Sequence, residues 1–208
     1  MTDPRQDAES RYAIGRIAER LSRHAPRPRD GAEPDRFASV AIILREVIGA
    51  GPEVLVIRRS EHPTDPWSGH MALPGGRKDP RDASTRHAAE REVMEEVGLD
   101  LAATGHLLGR LDDVAAVARG QRLGLTIAPF VYAIAADRAV ALTLNHEVQE
   151  ALWVPFSDLA GPDHRSTRTY PMGGGQVELP CWRWNDRVIW GLTYNMLSTL
   201  IQLVESEP

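Results

Sequence analysis

The chain has 208 residues, 42% of them hydrophobic, and 24 Lys and Arg against 29 Asp and Glu give a net charge of -5 at pH 7. That length suits one well-buried core. A mixed-sign, mildly acidic surface excludes a general field for nucleic acid. Cys181 is the only cysteine, so an intramolecular disulfide is excluded, as in chains of a reducing compartment. The first ten residues are polar and charged and do not read as a secretory signal. The most apolar long stretch, Ala128 to Leu144, contains Pro129, Asp137 and Arg138, which is too polar for a bilayer span. A cytoplasmic protein with no nucleic-acid and no membrane partner is expected.

Residues 8–23 place Tyr12, Ile14, Ile17, Ala18 and Leu21 at helical spacing. Pro26, Pro28, Gly31 and Pro34 then break the chain. The expected organisation is a helical appendage at 1–23, a linker at 24–35 and a body at 36–208. The appendage docks on the body or joins a homodimer, with docking the simpler arrangement. The body opens with strand-like runs at Phe37–Leu44 and Val54–Ile57, joined by a Gly- and Pro-rich hairpin. A long loop is expected from Ser60 to the Pro74-Gly75-Gly76 turn. A helix follows from Ser84, a plausible N-cap, to Val97, with Gly98 placed for a left-handed C-terminal residue. Further strands are expected near 104–111, 126–135 and 149–154, a hairpin near 176–189, and a last helix from Gly191 to Glu205. Helices and strands mix without regular βαβ alternation, which predicts an α+β fold on a mixed sheet.

The chemistry concentrates in Arg91-Glu92-Val93-Met94-Glu95-Glu96-Val97-Gly98-Leu99. Glu92, Glu95 and Glu96 stand at i, i+3 and i+4, so their side chains share one side of a helix. Like-charge pairs at these spacings destabilise a helix by about 0.2–0.5 kcal/mol each. They also fall in the last turn, where the macrodipole disfavours negative charge. A solvated, salt-bridged helix is the bland alternative, but Arg91 alone faces three carboxylates. A divalent cation reverses the sign of the arrangement, and hard oxygen ligands suit Mg²⁺ or Mn²⁺. Val93, Val97 and Ala89 give the opposite face its contact with the core. The Gly75-Gly76 pair lets backbone approach an ion or ligand closely.

These residues resemble the Nudix box: glycine, five residues, glutamate, seven residues, then Arg-Glu-apolar-x-Glu-Glu-x-Gly-apolar. Gly76, Arg91, Glu92, Glu95, Glu96, Gly98 and Leu99 match it. From Gly76 to Arg91 there is one residue more than the box allows, so its first acidic position falls on Asp82 after an insertion, or is absent at Ala83; Asp82 is preferred. The resemblance implies a Nudix-like α/β/α sandwich. It also implies a hydrolase that cleaves a diphosphate linkage in a small nucleotide-like molecule with Mg²⁺ or Mn²⁺. By that resemblance Glu92, Glu95 and Glu96, with the Gly75 carbonyl, hold metal, and a carboxylate, Glu92 or one near 147–150, takes the proton. Arg91 then orients a glutamate. Glu147 or Glu150 supplies a further carboxylate.

The single insertion also resembles the coenzyme A pyrophosphatase branch. So do Leu55-Val56-Ile57-Arg58-Arg59-Ser60 and Gly69-His70-Met71-Ala72-Leu73-Pro74-Gly75-Gly76. Thr64 stands where that branch has arginine, one residue is inserted before Gly69, and Leu73 replaces phenylalanine. Coenzyme A or a derivative is the expected substrate, with ADP-ribose or another nucleoside diphosphate conjugate as the alternative. Arg58, Arg59 and Gly76 are the candidate substrate contacts, since a guanidinium fork suits phosphate. Trp67 is expected to pack on the body, Trp182, Trp184 and Trp190 to be core or interface, and His70 and His87 to be bystanders. Two rivals of other classes are weaker. A binding-only Nudix protein predicts damaged glutamates, which are intact here. An isomerase-like relative resembles a cysteine-plus-glutamate arrangement, and Cys181 lies in a late hairpin.

Overall fold

The computed structural model describes residues 11–29, 36–65, 67–118, 121–135, 141–172 and 174–206. The first residues of the expected N-terminal helix and residues 30–35 of the expected linker lie outside the described residues. Helix α1 spans Ile14–Arg23. Strands β1 (Phe37–Val47) and β2 (Gly51–Arg59) form the expected hairpin. β3 (Met71–Ala72), β4 (Gly75–Arg77) and helix α2 (Thr85–Val97) follow. Then come α3 (Leu101–Thr104), β5 (Gly105–Arg110), β6 (Val114–Ala118) and β7 (Gln121–Ile134). β8 (Val148–Pro155) and α4 (Phe156–Ala160) lead to β9 (Arg165–Met172), β10 (Gly175–Trp184), β11 (Arg187–Trp190) and α5 (Gly191–Glu205).

The main sheet runs β3-β2-β1-β7-β5, with β4 on β1, β6 on β7 and β8 on β2. β1 and β7 are parallel and the other pairs antiparallel, so the sheet is mixed. Its central strands are apolar on both faces, which explains their unbroken hydrophobic runs. Successive residues divide between two cores. Ala41, Ile43, Leu55, Ile57 and Phe130 face α2 through its buried Ala89, Val93 and Val97. Ile42, Leu44, Val54, Val56 and Val131 face the other layer, built from α1, α4 and α5. The result is a helix–sheet–helix sandwich. A second sheet, β11-β10-β9, is antiparallel throughout. Among the described residues no helix is long and apolar enough to cross a membrane.

Helix α1 has no side-chain N-cap bond, so packing holds it rather than capping. Ile17 is 0% exposed and joins the core shared with α5. Residues after it are extended, and the Arg27 N–H and Nε donate to the Asp112 carboxylate at 3.0 and 2.9 Å.

Three expectations need correction. The loop from Ser60 to Gly76 contains β3 and β4, because the Arg59 N–H donates to the His70 carbonyl and the Ala41 N–H to the Pro74 carbonyl. β6 is Ala-rich and carries little alternation, so sequence pattern does not mark it. The expected hairpin at 176–189 has a third strand, β9, whose residues alternate only between exposed and half-buried, which leaves no apolar face for a pattern to show.

Ile17→Ala should lower stability by about 2–4 kcal/mol, through lost burial and a residual cavity. Urea unfolding checks this, and a loss below about 0.5 kcal/mol would mean α1 is not docked in solution.

Candidate active site

Ser84 caps α2 by accepting from the His87 N–H at 3.1 Å, and Gly98 ends it with φ of 69°. Between those caps the helix sorts its charges into two i, i+4 rows. Arg91 and Glu95 make one row, with Nη1 donating to the Glu95 carboxylate at 3.0 Å. Glu92 and Glu96 make the other and line a cavity of about 760 Å³. Glu95 does not line it, and its side chain is 55% exposed. The three glutamates are therefore split, a correction to the single shared face expected from spacing. The row at 92 and 96 turns inward, and Glu95 turns toward Arg91.

Glu96 is only 2% exposed and accepts from the Gly75 N–H at 2.8 Å. Burial, opposed by that bond, pushes its carboxyl up to about 8. The Glu92 carboxyl is also raised, chiefly by burial, with Arg91 opposing and Glu95 and Glu147 adding to it. The glycine pair is required by close approach. At Gly75, φ is +146°, and a Cβ would fall 2.2 Å from the Ser39 carbonyl of β1; at Gly76 a Cβ would fall 2.5 Å from the Glu92 carboxylate. Two glycines thus let β4 lie against both the sheet and the acidic row.

Arg91 locks the row to the loop before α2. Its Nε and Nη2 donate to the two oxygens of Asp82 at 3.0 Å each, and Nη2 also reaches the Arg77 carbonyl at 3.1 Å. Nη1 lies 2.9 Å from Glu92 as well. Asp82 is buried, and the Arg91 hydrogen bonds hold its carboxyl below the usual range. Asp82 and not Ala83 therefore faces the helix arginine. His87 stands 3.4 Å from Asp82, half-exposed and away from the cavity.

The cavity wall also carries Arg59, which donates from Nε and Nη2 to Asp65 at 2.9 and 2.7 Å. Burial pushes the Asp65 carboxyl up, but the Trp67 N–H and Arg59 outweigh it and hold it below its ordinary value. Arg58, one residue earlier on β2, points the other way, as strand alternation requires. It lines a second, smaller hollow beside the cavity rather than the cavity itself. Glu147 and Glu150, the two candidates for a further carboxylate, are placed differently. Glu147 lines the cavity, while Glu150 takes two bonds of 2.8 Å from Arg187 on the far side. Trp67 packs on the core and lines the cavity as well. Trp182 is buried in the core, and Trp184 donates to Asp158 at 2.9 Å. The Trp190 and His70 rings meet at a tilt of 57°, with centroids 4.8 Å apart, on the cavity wall. Sequence reasoning missed Asp65, Tyr170 and Trp190 as lining residues, and no spacing signal marks them. Cys181 is buried in β10, away from the cavity.

This acidic row, glycine turn and arginine lock match a known family across most of the chain: residues 35–171 match the NUDIX domain. The chain belongs to the Nudix family of hydrolases. A protein from Schizosaccharomyces pombe is 38% identical over 160 residues, covering 69% of this chain and 48% of that protein, so this chain spans about half of that relative. A Nudix hydrolase, NudL, from Yersinia enterocolitica is 28% identical over 193 residues, covering 90% of this chain and 93% of that protein. The human mitochondrial coenzyme A diphosphatase NUDT8 is 28% identical over 169 residues, covering 80% of this chain and 69% of that protein. Among solved structures, a MutT/nudix family protein from Enterococcus faecalis shares the fold, with a TM-score of 0.50 at 16% identity over 98% of this chain and 73% of that one.

Arg91→Ala strands a buried carboxylate, so it should cost about 2 kcal/mol or more at neutral pH. Asp82 titrates below its unfolded value in the native protein, so its pairing stabilises above that value and fades as pH falls. The gap between wild type and variant in thermal melts should therefore narrow in acid. A gap that is constant with pH would mean Asp82 does not depend on Arg91.

Proposed function

We propose that the chain is a divalent-metal-dependent hydrolase that cuts the diphosphate of coenzyme A or a derivative. The observation that carries this is the composition of one cavity. Glu92, Glu96, Glu147 and Arg59 line it, and so do Leu123, Leu125, Leu179 and Met196. A diphosphate conjugate with a less polar arm fits such a mixed surface, and about 760 Å³ lies within the range of ligand pockets.

Among the described residues, no three His, Cys, Asp or Glu side chains stand together as a ready-made metal cage. The donor set still fits Mg²⁺ or Mn²⁺, which bind through one or two carboxylates and fill the rest with water and phosphate. Glu92 and Glu96 are the hard-oxygen pair, and burial is the main cause of their raised carboxyls, so without a cation the charged form is disfavoured there. Glu147 and the Gly75 carbonyl complete the set, and Glu95 joins only by leaving Arg91. The metal, when bound, neutralises diphosphate charge and makes water a better nucleophile.

The chain's own groups do the rest. Arg59, braced by Asp65, presents a guanidinium to phosphate oxygens. Glu147 or Glu92 takes the proton of the attacking water. Arg91 and Asp82 fix the Glu92 carboxylate in place, and Gly76 leaves room for it. With coenzyme A the products are a phosphopantetheine and adenosine 3′,5′-bisphosphate. The relative NUDT8, by its name a coenzyme A diphosphatase, supports the substrate class.

EDTA should abolish activity, and Mg²⁺ or Mn²⁺ should restore it. Mass spectrometry of the products tests the substrate: ADP-ribose or a dinucleotide cut far faster than any coenzyme A species would leave the hydrolase and remove the coenzyme A assignment.

Glu96→Gln should lower turnover about a hundredfold or more, on the order of 3 kcal/mol in the barrier, with Glu95→Gln milder. Without metal, Glu96 binds its proton more tightly folded than unfolded, so wild-type stability falls as pH rises from 4.5 toward about 8. The metal-free Gln variant should lack that decline in thermal melts. Wild-type turnover in Glu96→Gln would show that the buried carboxylate is not part of the machinery.

A further inference from the structure

A second, smaller hollow of about 220 Å³ adjoins the cavity, and His70, Met71 and Trp190 wall both. It is too small for a nucleotide, given that pockets for whole ligands start near 300 Å³, and suits a single compact group. Three arginines from three strands line it: Arg58 of β2, Arg168 of β9 and Arg187 of β11. Their commitments differ. Arg187 gives two bonds to Glu150 and pairs with Asp186, so it is saturated and serves as frame. Arg58 has a long ion pair, 3.9 Å, to the exposed Glu61. Arg168 lies over the Trp190 indole with its guanidinium carbon 4.4 Å from the ring centroid. A guanidinium that meets a ring face rather than a carboxylate keeps N–H groups available to an anion. Asp186 is the acidic group on the wall, and its own neighbour Arg187 neutralises it.

Position adds to composition. β10, β11 and α5 lie beyond the residues that match the Nudix domain. The hollow forms where this second sheet, whose β9 lies almost wholly within the matched residues, meets β3 and Arg58 of β2, next to the cavity wall. The charge of Arg168 also reaches that wall: burial first, then Arg168, lowers the His70 pKa.

We propose that the hollow between Arg58 and Arg168 binds a phosphomonoester carried by the nucleotide half of the substrate, a phosphate separate from the diphosphate that is cut. This rests on the diphosphate-hydrolase reading above and deepens it. The two arginines, on β2 and β9, clamp the anion from two sides, and Trp190 fixes the angle of one of them. Substrates with that phosphate are selected over otherwise identical ones without it.

Calorimetric titration of adenosine 3′,5′-bisphosphate and of AMP into the full chain tests this without turnover. The bisphosphate should bind about tenfold tighter or better, the scale of one charge-assisted contact. Arg168→Gln and Arg58→Gln should each shrink that gap to about threefold or less. Inorganic phosphate should bind much more weakly than the bisphosphate. Equal affinity for the two nucleotides overturns the proposal, as does a full gap in both variants. So does inorganic phosphate that binds as tightly as the bisphosphate, since the hollow is then a free-anion site. A protein that shows the gap but cleaves no coenzyme A species sinks the substrate assignment alone. One that cleaves coenzyme A without the gap sinks this proposal alone.

Discussion

Glu96 puts a carboxylate where only 2% of the residue meets solvent, and the Gly75 N–H bonds to it at 2.8 Å. An unpaired buried charge costs several kcal/mol, and a protein that keeps one offsets it with partners or a shifted pKa. Here both occur in part: the carboxyl is raised to about 8, and one backbone donor faces it. The surrounding structure is shaped to let the backbone and the acidic row come this close. Gly75 is where a side chain would strike β1, and Gly76 is where one would strike Glu92. Helix α2 presents Glu92 and Glu96 to the cavity because Ala89, Val93 and Val97 anchor its other side to the sheet.

The arginine lock solves a related problem at lower burial. Four like or nearly like charges, Asp82, Glu92, Glu95 and Glu147, converge near α2, and one guanidinium touches three of them. A planar fork with five donors can do this, and a lysine ammonium cannot hold the same fixed angles. Arg91 thereby ties the loop before the helix to the helix itself. Glu95 is spent on the lock, which leaves Glu92 and Glu96 as the pair aimed inward.

What sequence could show follows from what periodicity records. The α2 boundaries, its apolar side and the central strands were legible, because they bury apolar residues at a fixed period. The importance of the Gly75-Gly76 turn and of Asp82 was legible through motif spacing. The division of the glutamates was not. Spacing puts 92, 95 and 96 within one broad side of a helix, and only the i, i+4 partner Arg91 decides that Glu95 turns away. Nor could spacing choose between Glu147 and Glu150, which sit three residues apart at the start of β8. Glu147 lines the cavity, while Glu150 is bonded to the far partner Arg187, a contact that spans 37 residues of sequence.

The same limit bears on specificity. β9 reads as polar on both faces because its outward residues meet solvent, while inward Arg168 and Tyr170 line hollows rather than a core. A strand that builds a pocket has no reason to alternate apolar and polar, so the elements that shape a ligand's surroundings are those that sequence pattern marks least. In this chain the acidic part of the cavity wall comes from residues with a spacing signature, while Tyr170 and Trp190 of the same cavity, and Arg168 of the hollow beside it, have none. The stack of Arg168 on Trp190 also explains why a charged residue is kept half-buried there. The indole face returns some of the solvation that the guanidinium loses, without using up its N–H groups. A carboxylate partner would stabilise the arginine more, but would also fill the hollow with negative charge and close it to an anion.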